Sequence, residues 1–402
     1  MASLTEKPLR ILAIVNLPWE PRLGAARVYI ELAKQWKAAG HHVERFCLTD
    51  AFPKATAARK LSMLRPVFFP RRAARYLRDN ASRFDVIDAL IGTVPFSKKR
   101  LRFDGLLVAR SVGLPRAYHR FNRVSREYWP DQPRGKFIGR LLYTFTYWLW
   151  RRETEDALRR CDLINVLNKD EIQSLQDPPA ISTPFIVQPN GLSDSERTAL
   201  ASAMEAPEIR LQRKEICFVG MWGLRKGSRD WPKIVRAILN AVPNARFAFL
   251  GTMTDEQTVL RDLGLSSRDS IRCVTSYDPA DLPRLIGGSM VGLFPSYIEG
   301  FGLAVLEQLA SGIPTIAYDV PGPRHIFGAN GARFLVPTGD TGAMVDRTLE
   351  IVRMNETDYS ALSAKCRQIA AHFRWEQIAS DTIGQYVAAL ARQNSGNAPR
   401  EG

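Results

Sequence analysis

The sequence predicts a two-domain α/β protein in which each domain is a doubly wound parallel sheet. The chain has 402 residues, more than one hydrophobic core usually organises. Residues 9–48 read as strand, loop, helix and strand, and the same kind of pattern starts again at Glu215 after a polar segment. Apolar, β-branched runs that alternate with helical patterns are typical of parallel sheets covered by helices on both faces.

The first half of the chain is predicted to form one domain over residues 1–195. Its strands are short apolar runs with room for a helix between them, at 9–16, 41–48, 85–92, 105–111 and 162–167. A helical pattern ends at Gly40, and a longer one runs from about Phe137 to Arg160.

The second half repeats the pattern. A Pro-Asn-Gly turn at 189–191 precedes polar sequence, and we predict a linker over 196–214. A second domain is predicted over 215–376, and a final helix over about 377–393 is predicted to pack back on the first domain. Two such halves indicate Rossmann-like domains that face a central cleft.

Composition excludes several classes of protein. Hydrophobic residues make up 45% and charged residues 24% of the chain, as in ordinary globular proteins. The longest apolar helical stretch, 141–150, is too short to span a bilayer, and the N-terminus has no signal-peptide pattern. The five cysteines show no metal or redox spacing, so we expect reduced thiols in a cytoplasmic protein.

Positive charge is concentrated in one segment. Residues 51–150 contain 21 lysines and arginines against 6 aspartates and glutamates, an excess equal to the net charge of +15 of the whole chain. This excess favours an anionic partner, such as a membrane surface or a phosphorylated acceptor, or it is simply a solvated face. Charge alone would also admit nucleic acid, but no nucleic-acid-binding motif supports that reading, and none is expected as a partner.

The most informative stretch is 294–307, FPSYIEGFGLAVLE. A strand ends near Pro295, a glycine-containing loop follows, and a helix is predicted to begin near Gly302. Backbone amides at a helix start favour an anion such as a nucleotide diphosphate. Glu299 and Glu307 are suited to accept hydrogen bonds from hydroxyl groups; alternatively, Glu299 caps the helix and Glu307 is a solvated helix residue.

This stretch resembles the glutamate-x7-glutamate motif of retaining GT-B glycosyltransferases, particularly the large glycosyltransferase family four. The segments at 24–46, 188–193, 312–327 and 373–379 are also similar to that family, so the resemblance covers nearly the whole chain. It implies that Glu299 contacts the donor sugar and that Glu307 holds the ribose hydroxyls. It also places the amides of Gly300, Phe301 and Gly302, with Leu303 beside them, against the sugar or the diphosphate.

The loop 219–227, VGMWGLRKG, follows a predicted strand and offers two basic residues, Arg225 and Lys226. A departing diphosphate needs positive charge as the glycosidic bond breaks. Lys226 falls where the family has its phosphate-binding lysine, and Gly220 is assigned to the donor site with it. The family's arginine aligns with Met221, so Arg225 is a candidate replacement; the other reading is a basic surface pair.

Two positions in the first domain complete the resemblance, and one departs from it. Gly24 and Arg27 open the first helix where the family has a glycine-rich loop, and they are assigned to donor binding. Where relatives carry a histidine near the reacting sugar, this chain has Val112. We assign no catalytic histidine, because a lone residue such as His119 is more often structural.

The function predicted from these residues is retaining transfer of a hexose from a UDP- or GDP-sugar to a glycan or lipid-linked acceptor, in envelope or exopolysaccharide synthesis. No metal or other cofactor is expected. The alternatives are a sugar-nucleotide-binding protein without catalysis, which Val112 favours, and a non-hydrolysing nucleotide-sugar epimerase. The helical stretches at 62–79 and 135–152 are rich in arginine and aromatic residues, and they either pack in the core or lie on a membrane as part of a peripheral protein.

Overall fold

The computed structural model describes residues 7–53, 65–129, 137–177, 180–265 and 269–396. The chain falls into two compact units, each built on a six-stranded sheet. Unit 1 comprises Met1–Arg116, Asp131–Pro189 and Trp375–Gly402; unit 2 comprises Ala117–Pro130 and Asn190–Arg374. The prediction of a two-domain α/β fold is confirmed. The basic segment 51–150 includes residues 54–64 and 130–136, which lie outside the described ranges.

The sheet of unit 1 is parallel throughout, in the order β2-β1-β3-β4-β5-β6. Its strands are β1 Arg10–Val15, β2 His42–Cys47, β3 Val86–Leu90, β4 Leu106–Arg110, β5 Leu163–Val166 and β6 Phe185–Val187. Strand β1 is buried from Ile11 to Val15 on both faces. This continuous burial explains why the sequence shows an apolar run there rather than an alternating pattern.

Helices connect these strands. Those of the described residues are, in chain order, α1 Gly24–Ala38, α2 Leu48–Ala51, α3 Arg65–Asn80, α4 Lys98–Leu101, α5 Pro115–Tyr128, α6 Phe137–Arg160, α7 Lys169–Gln176, α8 Asp194–Ser202, α9 Pro207–Arg213, α10 Trp231–Ala241, α11 Glu256–Leu263, α12 Leu282–Ile286, α13 Leu303–Ala310, α14 Pro321–Phe327, α15 Gly331–Phe334, α16 Thr341–Val352, α17 Glu356–Ala370 and α18 Trp375–Gly396. Within the described ranges, none of them is long and apolar enough to cross a bilayer.

The C-terminal helix α18 packs in unit 1, against α1. The indole nitrogen of Trp36 donates to the carbonyl of Ala379 at 3.2 Å. Deeper in the unit, Arg110 donates to Oδ1 of Asp88 at 3.1 Å, to Oδ2 of Asp88 at 2.7 Å and to the hydroxyl of Tyr386 at 2.9 Å. A hydrogen-bonded ion pair therefore joins β3 and β4 to the last helix of the chain.

The sheet of unit 2 is also parallel, in the order β12-β11-β10-β7-β8-β9. Its strands are β7 Glu215–Val219, β8 Arg246–Leu250, β9 Ile271–Val274, β10 Val291–Phe294, β11 Thr315–Tyr318 and β12 Leu335–Val336. The first strand of this unit, β7, lies between β8 and β10, so the winding direction reverses there. Doubly wound sheets bind ligands at the carboxyl ends of the two strands that flank such a reversal.

The segment 196–214, which we predicted as a linker, instead belongs to unit 2 and forms most of α8 and all of α9. Ser193 and Glu196 form a capping box at the start of α8. Leu200 on α8 and Arg210 on α9 are buried. The polar composition is that of two short helices with one buried side each, and it does not indicate a flexible connection.

Arg210 is a buried cation that unit 2 surrounds with backbone carbonyls. Its guanidinium donates to Gly287 at 2.7 and 3.0 Å, to Ser311 at 2.9 Å and to Gly312 at 3.3 Å. These carbonyls follow α12 and α13, where the last carbonyls of a helix have no partner within the helix. Arg210 therefore joins the segment before β7 to the ends of two later helices.

We expect Arg210→Ala to lower the unfolding midpoint of unit 2 by roughly 6–12 °C. Buried carbonyls without donors cost about 3 kcal/mol, and 1 kcal/mol corresponds to about 2–4 °C for a unit of this size. Differential scanning calorimetry would measure it. Arg236→Ala removes an exposed arginine of the same unit and should shift the midpoint by less than about 2 °C. Equal shifts in the two variants would contradict this role of Arg210.

Candidate active site

Two loops meet where the winding of the second sheet reverses. One follows β7 and contains a short 3₁₀ turn, Leu224–Lys226; the other follows β10 and runs from Pro295 to Gly302. Gly227 has a φ of 78°, and a Cβ at this position would lie 2.3 Å from the carbonyl oxygen of Pro295. The first loop can lie directly on the second because residue 227 has no side chain.

This contact brings Lys226 and Glu299 together. The ammonium group of Lys226 donates to Oε2 of Glu299, and it lies 4.6 Å from the centroid of the Phe294 ring. Both side chains remain partly accessible, with 14% of Lys226 and 18% of Glu299 exposed. Two residues that the sequence marked separately, 73 positions apart, thus form one ion pair at the carboxyl ends of neighbouring strands.

The start of α13 lies beside this pair. Gly302 precedes the helix with a φ of 94°, a left-handed conformation that favours glycine. Because Gly302 has no side chain, it provides no side-chain acceptor for the amides of the first turn. Unpaired amides and the helix dipole make such a helix start suitable for an anion. The predicted roles of Gly300, Phe301 and Leu303 concern backbone atoms, since the ring of Phe301 is buried against Phe373.

Glu307 lies on α13, one turn after its start, and only 5% of it is exposed. It is therefore not a solvated surface residue. Its helix neighbours Val305, Leu306 and Leu309 are fully buried, so the backbone around Glu307 is fixed by core packing. A carboxylate held this way can present acceptor oxygens in a constant position.

Arg225 is anchored differently from Lys226. Its carbonyl accepts the amide N–H of Tyr297 at 2.9 Å, which is a second link between the two loops. Its guanidinium lies over the ring of Tyr118, 5.1 Å from the centroid. The ring of Tyr297 in turn contacts Trp129 edge-on at 5.0 Å and Phe121 at 6.2 Å. The segment 117–130 of unit 2 thus supplies the aromatic surroundings of Arg225 and Tyr297, which no sequence motif indicated.

A buried carboxyl group, that of Asp230, links the same two loops through tyrosine side chains. The hydroxyl of Tyr318 donates to Oδ2 of Asp230 at 2.7 Å, and the rings of Tyr318 and Tyr297 meet edge-on at 5.4 Å. Burial raises the pKa of Asp230, and hydrogen bonds from Tyr318 and Tyr297 oppose that rise. Asp230 follows directly on the Lys226 loop, so this cluster ties the end of one loop to the middle of the other.

Two further positions of this loop can be located. Gly220 follows β7 with a positive φ of 152°, and its amide donates to the carbonyl of Leu250 at 2.9 Å. Met221, where the family has an arginine, is 51% exposed. An apolar side chain therefore faces solvent at the arginine position, and Arg225 is the basic residue of the loop next to Lys226.

Gly24 and Arg27 lie in unit 1, at the first turn of α1, whereas the other predicted site residues lie in unit 2. Gly24 has no positive φ, and a Cβ there would meet nothing within 4 Å. Neither backbone conformation nor packing requires glycine at this position. Its assignment to donor binding therefore stays a prediction based on the resemblance.

The loop that carries Val112 is held by a residue that the sequence analysis missed, Glu171. Its Oε1 accepts from the hydroxyl of Ser111 and from the amide of Leu114, both at 3.0 Å, and its Oε2 accepts from the amide of Leu167 at 2.9 Å. Glu171 is buried in the first turn of α7, and burial raises its pKa to about 7 despite these hydrogen bonds. The acidic first turn after the Asn168 cap was the available signal.

A histidine and a cysteine of unit 2 have structural surroundings. His325 contacts the rings of Phe301 and Phe373, at centroid distances of 6.4 and 6.0 Å. Burial raises the pKa of the Cys217 thiol to about 12, which keeps it protonated and unreactive. Across the described ranges, no three His, Cys, Asp or Glu side chains are placed to hold a metal ion together.

Two units, each a parallel doubly wound sheet, form the two-domain GT-B architecture, and the Lys226–Glu299 pair lies at the reversal point of the second sheet. Residues 202–370 match the family described as Glycosyl transferases group 1. The match includes Lys226, Glu299 and Glu307. The predicted resemblance is confirmed.

Curated relatives are glycosyltransferases of low identity. The chain is 23% identical to the MMP alpha-(1->4)-mannosyltransferase of Mycolicibacterium hassiacum over 347 residues, covering 81% of this chain and 76% of the relative. It is 21% identical to the GDP-mannose:cellobiosyl-diphosphopolyprenol alpha-mannosyltransferase of Xanthomonas campestris, over 54% of this chain and 57% of the relative.

Solved structures support the fold. The sucrose-phosphate synthase of Thermosynechococcus elongatus matches 95% of this chain and 100% of its own, with a TM-score of 0.72 and 18% identity. The Anabaena protein HepE, solved with UDP and glucose, matches 95% of this chain and 100% of its own, with a TM-score of 0.63 and 14% identity. At these identities the likeness establishes the architecture.

The buried carboxyl of Glu171 predicts a pH dependence of stability. A glutamate has a pKa near 4.3 when unfolded and about 7 here, so its stabilising contribution is complete below pH 4.3 and is lost as pH rises through 7. We expect the free energy of unfolding of the wild type, relative to Glu171→Gln, to fall by about 3 kcal/mol between pH 4.5 and 7.5.

Urea unfolding of both proteins at several pH values would measure this difference, because all other titrating groups are shared. Glu20→Gln is the matched control, since Glu20 is exposed. Its pH profile should run parallel to that of the wild type. If the Glu171→Gln profile is also parallel to the wild type, Glu171 titrates normally and does not hold the loop in the way described.

Proposed function

We propose that this protein is a retaining glycosyltransferase that moves a hexose from a nucleotide-diphosphate donor to an acceptor hydroxyl. The proposal rests on one observation: Lys226 and Glu299 pair at the carboxyl ends of β7 and β10, directly before the start of α13. One basic residue, one acidic residue and a helix start are what a sugar linked to a diphosphate requires. The match of residues 202–370 to the family of Glycosyl transferases group 1 supports the same reaction class.

In this proposal, donor binding breaks the ion pair between Lys226 and Glu299, and each side chain then contacts a different part of the donor. The diphosphate accepts hydrogen bonds from the ammonium group of Lys226 and from the amides at the start of α13, because both are donors suited to an anion. Glu299 is then available to accept hydrogen bonds from hydroxyls of the donor sugar. Glu307, held in α13, accepts from the ribose hydroxyls, and Arg225 supplies the second positive charge.

The chemistry needs no general base from the protein. As the bond between sugar and diphosphate breaks, negative charge grows on the leaving oxygen, and Lys226 with Arg225 stabilises it. The acceptor hydroxyl attacks from the face that the diphosphate is leaving, and the diphosphate takes its proton. The new glycosidic bond therefore keeps the anomeric configuration of the donor. The protein contributes position and fixed charge.

For the donor we propose a UDP- or GDP-hexose. One relative is named for GDP-mannose, and HepE was solved with UDP and glucose. For the acceptor we propose a glycan or a lipid-linked glycan in envelope or exopolysaccharide synthesis. The excess positive charge of 51–150 supports an anionic acceptor, and one relative is named for a diphosphopolyprenol-linked acceptor. We place the protein in the cytoplasm, peripheral to the inner face of the membrane.

The kinetic test separates ground-state binding from chemistry. Glu307→Ala should mainly raise KM for the donor, because contact with the ribose is equal in ground and transition states. Lys226→Ala should mainly lower kcat, by about 100-fold, because its partner becomes more negative as the bond breaks. Arg225→Ala should resemble Lys226→Ala. Steady-state kinetics with a UDP- or GDP-hexose would measure the split, and NMR of the product should show a retained anomer.

Lys365→Ala is the control, since Lys365 is an exposed lysine of the same unit on α17. It should leave both kinetic constants unchanged. Full kcat in Lys226→Ala, or an inverted product, would refute the mechanism. Donor binding without hydrolysis or transfer in the wild type would instead support the non-catalytic alternative that Val112 favours.

We further expect EDTA to leave activity largely intact, because Lys226 and Arg225 supply the charge that a divalent cation would otherwise bring to the diphosphate. The measurement is the transfer rate before and after chelation, followed by addition of Mg²⁺ or Mn²⁺. Complete loss of turnover that either metal restores would show that the two basic residues are not sufficient.

A further inference from the structure

Unit 1 exposes three large aromatic side chains on two helices that contact each other, α3 and α6. Phe68 on α3 is 45% exposed, and Phe145 and Trp148 on α6 are 59% and 52% exposed. The rings of Phe145 and Trp148 stack on the helix surface, with centroids 6.4 Å apart. An exposed aromatic cluster of this kind marks an interaction surface more often than a scattered single residue does.

The stretch of α6 around this cluster is not part of the core. From Phe145 to Glu153 every residue is exposed or half-buried, although the stretch contains five apolar or aromatic side chains. Burial begins at Thr154 and continues at Ala157 and Leu158. The sequence allowed two interpretations of this helix, packing in the core or lying on a membrane. The described residues 145–153 do not pack in the core.

Exposed arginines lie on the same two helices as the aromatic side chains. On α3 the exposed face carries four of them, Arg71, Arg72, Arg75 and Arg78, and α6 adds Arg151 and Arg152. The guanidinium of Arg71 lies 5.9 Å from the centroid of the Phe68 ring, and that of Arg152 lies 5.8 Å from the Trp148 ring. Basic and aromatic groups are therefore interleaved on one surface. Glu153 interacts electrostatically with Arg71, but burial raises the pKa of Glu153 to about 7, so it carries less negative charge near neutral pH than an ordinary glutamate.

We propose that α3 and α6 form a membrane-docking surface that binds anionic phospholipid headgroups and inserts Phe145 and Trp148 at headgroup depth. The amphipathic indole of a tryptophan partitions to the headgroup region, a phenylalanine ring buries apolar surface at the boundary with the acyl chains, and arginines reach phosphate groups from the same depth. The inference rests on the proposed function in one respect: a membrane surface is where a lipid-linked acceptor would be presented to the enzyme. Binding to a membrane can be measured without any glycosyl transfer.

Two kinds of contact are expected, and they respond differently to salt. The arginines attract anionic lipid through space, and this attraction is screened within about 10 Å at 0.1 M salt. The aromatic insertion buries apolar surface, which salt does not screen. Binding to nucleic acid would use the arginines in the same way but would gain nothing from apolar insertion into a bilayer.

The experiment is co-sedimentation of the full chain with vesicles of phosphatidylcholine alone or with 30% phosphatidylglycerol, in 0.1 and 0.5 M NaCl. We expect the wild type to bind the anionic vesicles at least tenfold more tightly than the neutral ones at 0.1 M NaCl. The double variant Phe145→Ser, Trp148→Ser should bind anionic vesicles at least tenfold more weakly at both salt concentrations. Arg71→Gln with Arg75→Gln should weaken binding at 0.1 M NaCl and flatten its salt dependence.

The matched control is Ile209→Ser with Met253→Ser, because these apolar residues of unit 2 are 45% and 66% exposed. This variant should bind vesicles like the wild type. Unfolding midpoints and binding of UDP or GDP, measured without vesicles, should be the same in all four proteins. Vesicle binding that survives loss of the aromatic pair, equal binding to both vesicle types, or binding to nucleic acid but not to vesicles would overturn the proposal. Failure of glycosyl transfer with intact vesicle binding would refute the proposed function and leave this surface standing.

Discussion

The contact between Gly227 and the carbonyl of Pro295 is the constraint on which the candidate site depends. Strands β7 and β10 are neighbours in the sheet, so their loops leave it side by side, but a side chain at 227 would collide with the backbone of the other loop. Because residue 227 is a left-handed glycine, the loops touch and Lys226 reaches Glu299. A second backbone link, from Tyr297 to Arg225, keeps the loops in this register.

Two ion pairs in the molecule show how burial separates a structural role from a candidate functional one. Arg110 and Asp88 are fully enclosed in unit 1 and share Tyr386 as a further partner. Breaking such a buried pair leaves an uncompensated charge, so it fixes the helix α18 against the sheet. The Lys226–Glu299 pair is still partly exposed, and water compensates both groups when they separate. In such a pair, each side chain can exchange its partner for a ligand.

Each of the two units contributes a surface of mixed charge and aromatic character. In unit 2, the aromatic rings of 117–130 surround Arg225 and Tyr297, beside the Lys226–Glu299 pair. In unit 1, exposed arginines of α3 and α6 lie beside exposed aromatic rings. The first arrangement limits the freedom of a charged side chain that a donor would meet. The second leaves both the charges and the rings accessible to a partner.

The sequence by itself determined the two doubly wound sheets, because a strand buried on both faces must be a continuous apolar run. It also indicated Lys226, Glu299 and Glu307, through local motifs around a turn and a helix start. Only the tertiary structure decided that Lys226 and Glu299 meet, since strand order in a sheet is not encoded locally. It also showed 196–214 as packed helices, with Arg210 buried among carbonyls, and identified Glu171 as the support of the Val112 loop. Arg210 and Glu171 look solvated in the sequence because their partners are distant along the chain, 60 residues for Ser111 with Glu171 and 102 residues for Gly312 with Arg210.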